Sequence, residues 1–251
     1  MIGTVIEAAD IGRALRDNSD QMHAIACALA VDLAAATGDR AVRDRLATRA
    51  TVHHNGFVKL VVVDTEEWDS PSLRGFRLVL HVWDPAVAPH SVEEIHNHRW
   101  RFASVLLCGA LKWEHFHEYD GEDEPIPCLE YEYRSPGRDT GYRLQPRGPV
   151  TLARQFVALA GVGARSMMTV SQLHRVEPVA DTLSATLFLQ FPVERTWTRV
   201  FVESWRPASI TTRTLRRPEP AELAACLERL AAELIKRGPI KRGPIKRGPA
   251  K

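Results

Sequence analysis

The chain has 251 residues, 45% of them hydrophobic and 25% charged, the ordinary balance of a globular protein with room for one barrel and helical additions. No apolar run reaches the roughly 18 residues of a membrane span, and no basic segment precedes an apolar core at the start, so a cytoplasmic protein is expected. The formal net charge of +2 hides an asymmetry: the last sixteen residues hold seven Lys or Arg and no acid, and without them 26 basic residues face 31 acidic ones, so neither a nucleic-acid footprint nor a membrane surface is expected on the body.

In chain order, residues 1–50 are expected to form a helical segment packed on the barrel. Ile11, Leu15, Met22, Ile25, Leu29 and Leu33 recur near helical spacing, and Gly38 reads as a stop between two helices. His23 and Cys27 share one helical face, where packing is the expected use. Cys27, Cys108, Cys128 and Cys226 show no CxxC spacing, which argues for free thiols in a reducing compartment rather than a zinc knuckle.

From residue 51 to about 210 the pattern is that of strands. FVKLVVVD, FRLVLHVW, ASVLLCGALKWEHFHEY, LEYEYRS, TLARQFVAL, SMMTVSQLHRV and SATLFLQF are β-branched or aromatic runs bounded by Gly, Pro, Asp and Ser. Such a series without intervening helices predicts an antiparallel sandwich or small barrel. Residues 211–235 are expected to hold a C-terminal helix, with Pro218 and Pro220 at its start and Leu223, Leu227, Leu230 and Leu234 in one apolar stripe. Residues 236–251 repeat Lys-Arg-Gly-Pro, which forbids a continuous helix, so a disordered basic tail is expected there.

The chemistry concentrates in two segments. His96 and His98 stand i, i+2 in IHNHRW, a spacing that puts both imidazoles on one face of a strand. His174 in LHRVEP can close a set of three nitrogen ligands on one divalent metal. His115 and His117 repeat the spacing after Gly109 but alternate with Glu114 and Glu118, as at a wet strand end. The remaining candidates, His53, His54, His81 and His90, lack that pattern.

The spacing His96-x-His98-x3-Phe102-x6-Gly109 resembles the first motif of the cupin superfamily, with Phe102 where most members carry a glutamate ligand. Gly163-x5-Thr169-x-Ser171-x2-His174 resembles the second motif. Three His without the glutamate are similar to the thiol dioxygenase branch, represented by cysteine dioxygenase. FRLVLHVWDP, IHNHRW with GALKW, and LHRVEP carry that likeness over roughly half the chain. It implies a cupin-type antiparallel β-barrel, a double-stranded β-helix, with helices at both ends. It also implies a mononuclear Fe(2+) site on His96, His98 and His174, with O2 and a small molecule as substrates, in a monomer or homodimer.

In that branch an arginine on the strand matching FVKLVVVD holds the substrate carboxylate, and here Lys59 is the best match. Lysine attracts a carboxylate as a point charge without the planar fork of arginine. Arg101, Arg165 and Arg175 are the other basic candidates. Some members cross-link a cysteine to a tyrosine. The matching positions here are Phe102 or Ala103 and Gln190 or Phe191, which supply neither thiol nor phenol. The residues alone leave a zinc- or iron-dependent non-oxidative step in small-molecule biosynthesis, and a non-catalytic metal-binding role, beside the iron dioxygenase that the resemblance implies.

Overall fold

The computed structural model describes residues 20–66, 74–89, 91–134, 142–179, 182–206, 212–213 and 215–236. The basic tail and His90 lie outside the described residues. Two helices come first, α1 (Asp20–Ala36) and α2 (Arg40–Thr48). They are separated at Gly38, and Asp39 caps α2 by accepting from the Ala41 and Val42 amides. The strands follow as β1 (Ala50–His53), β2 (Phe57–Asp64), β3 (Arg77–Trp83), β4 (Ile95–His96), β5 (Phe102–Cys108), β6 (Leu111–Glu118) and β7 (Pro125–Arg134). Then come β8 (Tyr142–Ala160), β9 (Arg165–Met168), β10 (Leu173–Pro178), β11 (Ser184–Gln190), β12 (Trp197–Glu203) and β13 (Thr212–Arg213), and the helix α3 (Pro220–Lys236). None of the described helices is long and apolar enough to cross a membrane.

The fold is mainly β, with two antiparallel sheets and helices at both ends, as the strand and helix patterns predict. One sheet runs β1-β2-β3-β11-β5-β9. The other runs β13-β8-β6-β10-β4-β12-β7, and β7 also pairs with β8, closing six of its strands into a ring.

Period-two alternation decides what each strand face does. On the first sheet Leu60, Leu80, Leu107 and Leu187 point outward to α1 and α3, where Ala30, Leu33, Leu223, Leu227 and Leu230 complete the largest core. Each fully buried leucine of α3 contributes about 1.5–3 kcal/mol relative to exposure. The alternate residues, Lys59, His81, Phe102, Ser104, Thr186 and Phe188, face the space between the sheets.

Gly109 does not close a hairpin, because β5 and β6 belong to different sheets. It turns the chain from one sheet to the other with φ 76°. A Cβ there would come within 2.0 Å of the Ser184 hydroxyl, so glycine is required twice over, by conformation and by space. The short strand β4 and the strand β12 are absent from the sequence reading. β4 is two residues long and β12 is interrupted by Thr198 and Arg199, so neither shows an apolar run.

Candidate metal centre

β4 ends at His96, and His98 lies in the turn beyond it. The spacing still brings both rings together, with centroids 4.8 Å apart. Two neighbours hold β4 in register: His96 is opposite His174 of β10 on one side and Val200 of β12 on the other. Asn97 fixes the following turn to β12, since its amide donates to the Arg199 carbonyl at 3.2 Å and its side-chain oxygen accepts from the Arg199 amide at 2.9 Å. The Arg195 guanidinium donates to the His98 carbonyl at 2.9 and 3.1 Å and also reaches the Val170 carbonyl. The turn that carries His98 is thereby tied to the loop before β10.

His96, His98 and His174 each present a ring nitrogen, and these atoms lie within 4.8 Å of one another; among the described residues this is the group able to hold a metal ion. The Nδ1 of His96 is 2.9 Å from the Glu94 carbonyl. A carbonyl only accepts, so Nδ1 carries the proton and Nε2 keeps the free lone pair. The Nε2 atoms of His98 and His174 are 3.3 Å apart. Two imidazoles bound to one ion at about 2.0–2.1 Å hold their nitrogens about 3–3.4 Å apart in a tetrahedral or octahedral set.

Burial, then the neighbouring His96 and His174, keeps His98 well below its ordinary pKa. Burial and His96 do the same for His174. Neutral imidazole is the form that binds metal. The donor set therefore fits one divalent ion with several open positions.

Phe102 stands edge-on to His98, ring centroids 5.0 Å apart, and stacks on Phe188 at 4.3 Å. A phenyl ring, not a carboxylate, thus stands beside the imidazoles. Trp113 stacks on His174 at 5.7 Å. The cavity in front of the three imidazoles has a volume of about 860 Å³ and reaches Lys59 and His81 on the opposite sheet.

The other sequence candidates separate clearly. His115 stacks on Phe156 at 4.1 Å, with its ring 6.5 Å from His174, outside the ligand group. His117 faces Asp120 and Asp123 at 3.8 and 3.6 Å, in keeping with a wet strand end. Burial, then Lys59, pushes His81 down to about 3. Among the basic candidates, Arg101 is half exposed and pairs with Glu194 at 2.6 Å. Arg165 is exposed on β9. Arg175 neighbours His174 in sequence but points to the opposite face of its strand, into the closed ring, where it meets Glu114 at 2.6 Å and Glu203 at 3.4 Å. Phe102 pairs with Gln190 and Ala103 with Leu189 across β5 and β11, so the positions matching the cross-link hold no cysteine and no tyrosine. Cys108 is six residues further along β5, opposite Ala185.

The residue that sequence reasoning passed over is Arg99. Alternation from His98 argues against it, but alternation fails once β4 ends at His96. Its guanidinium lies over Trp100 at 5.0 Å and Tyr133 at 5.8 Å and lines the same cavity as the three imidazoles.

Lys59 is held at about 8, by burial first and then by the positive Arg77 and Arg99. Below pH 8 the lysine is protonated whether the chain is folded or not, and the cost of burying the ammonium is fully present. Between pH 8 and 10.5 the folded form gives up its proton before the unfolded form does, so stability rises with pH across that window. Lys59→Met is expected to be more stable than the native chain at pH 7, with the difference shrinking towards pH 10. Urea unfolding of both proteins from pH 7 to 10 checks this; a constant difference would contradict it.

No family model matches the chain, and no curated protein matches it in sequence. Among solved structures it is similar to a variant of Bacillus subtilis oxalate decarboxylase, at 14% identity and a TM-score of 0.35, over 64% of this chain and 31% of that one. It is also similar to hydroquinone 1,2-dioxygenase in complex with Cd2+ and 4-hydroxybenzonitrile, at 12% identity and a TM-score of 0.28, over 47% of this chain and 58% of that one. The chain spans about a third of the decarboxylase chains it matches. At these values neither activity carries over to this protein.

Proposed function

We propose that this chain is a mononuclear non-haem iron dioxygenase of the cysteine dioxygenase-like cupin type, with His96, His98 and His174 as the metal ligands and a small thiol or related small molecule as substrate. The observation that carries the reading is the donor set: three convergent imidazoles with Phe102, not a carboxylate, beside them. Iron(II) bound there would supply O2 activation and open positions for an anionic substrate atom.

The protein's own residues do the rest. Glu94, through its carbonyl, fixes the tautomer of His96, and Arg195 fixes the turn that carries His98. Phe102, Phe188 and Trp113 exclude water beside the imidazoles and strengthen electrostatic contacts in the cavity. Lys59, on the facing wall, holds the substrate's acid group as a point charge.

Lys59→Met is expected to raise the KM for an acidic substrate by about 1.5–3 kcal/mol, roughly 10- to 100-fold, with a smaller effect on kcat. The reading itself is tested by an oxygen-electrode screen of the iron-loaded protein over small thiols and thiol acids. Iron-dependent O2 uptake with one of them is the expected result. Free cysteine should be a poor substrate, because the usual arginine and the tyrosine hydroxyl are both missing, and the intact mass should not fall by two hydrogens during turnover. No O2 uptake with any member of the panel would overturn the reading.

A further inference from the structure

Lys59 and Arg99 both line the cavity in front of the three imidazoles, and among the described residues neither has a carboxylate within ion-pair distance. Of the four acids that line the same cavity, Glu66 is exposed, and the other three are engaged. Asp64 pairs with Arg77 at 3.1 Å. Glu93 accepts from Asn55 at 2.6 Å and from the Val176 amide at 2.8 Å. Glu94 lies 3.8 Å from His54.

Arg99 is held in place by its surroundings. Its carbonyl accepts from the Glu194 and Arg195 amides at 2.8 and 3.2 Å, and its guanidinium lies over two aromatic rings. Its Nε is buried without a hydrogen-bond partner. A buried donor on a cation is costly to leave unmet. Lys59 shares the cavity with that cation, and both burial and the positive charge of Arg99 work against its own charge. An anionic ligand relieves all of these costs at once.

We infer that the cavity takes a small diacid, one acid group held by Lys59 and the other by the guanidinium of Arg99 against Trp100 and Tyr133. This rests on the reading above that the cavity is the substrate site. The cavity of about 860 Å³ falls in the range of about 300–1,000 Å³ that takes drug-sized ligands, so a diacid longer than a single amino acid has room. The substrate class is then a thiol-bearing or related dicarboxylate, with Arg99 as the residue that selects it over a monoacid.

The test is isothermal titration of the full chain with succinate, glutarate and adipate, each against the monoacid of the same length, butyrate, pentanoate and hexanoate. Each titration is run anaerobically on iron(II)-loaded protein and again after chelation. At least one diacid is expected to bind about tenfold or more tightly than its monoacid, the value of one charged hydrogen-bonded contact. Arg99→Gln should bring that diacid to the monoacid level without changing the monoacid, whereas Lys59→Met should weaken both.

Equal binding of diacids and monoacids to the native chain would overturn the inference, as would a folded Arg99→Gln protein that keeps the preference. The native comparison stands even if the variant fails to fold. Diacid preference in a chain that binds no metal would instead sink the metal reading and leave this one intact.

Discussion

His174→Ala is expected to purify without bound divalent metal, while His115→Ala keeps a full complement. His174 is 2% exposed and has the Nε2 of His98 3.3 Å away. Removing its ring takes away one of three donors from a site to which Phe102 supplies no substitute. The loss in affinity should exceed the roughly 10–100-fold that removing an outer partner of a metal ligand costs. His115 faces the same side of the sheet, but its ring lies outside the ligand group, so the pair of variants separates ligation from mere proximity. Elemental analysis of anaerobically purified protein decides it; stoichiometric metal in His174→Ala would rule out this ligand set.

The residue after His174 should give the opposite phenotype. Arg175→Met is expected to cost about 3–5 kcal/mol of stability, the effect of removing one partner from a buried charge cluster, and to leave metal binding intact. Arg175 lies in the closed ring of strands between Glu114 and Glu203, over Phe116. Without it Glu114 retains Lys112 at 3.5 Å and Arg154 at 3.0 Å, so most of the penalty falls on Glu203. Urea unfolding measures the difference; unchanged stability would show that the cluster is solvated rather than buried. Two neighbouring residues thus answer to different halves of the fold because a strand sends them to opposite faces.

The same rule explains what could be read from the sequence. The strand Phe57–Asp64 appears where FVKLVVVD places it, and the C-terminal helix buries the Leu223, Leu227, Leu230 and Leu234 stripe, because a regular pattern is set by local geometry. The i, i+2 spacing singled out His96 and His98 even though His98 lies beyond the end of β4, and their meeting with His174 depends on the long-range pairing of β4 with β10. Arg99 and Arg195 were not legible, since both lie outside the strands, where alternation gives no direction. Arg175 was misplaced because closeness in sequence to His174 says nothing about which face it takes. The ring closed by β7 and β8 depends on a long-range pairing that no local pattern announces.

X-ray absorption at the iron edge of the anaerobically loaded protein tests the three-histidine centre most directly. The predicted spectrum is one iron per chain with three imidazole nitrogens, the remaining positions filled by light solvent oxygen, and no sulfur before substrate is added, since none of the four cysteines belongs to the ligand group. A carboxylate or sulfur in the resting coordination shell, or fewer than three imidazoles, would contradict it.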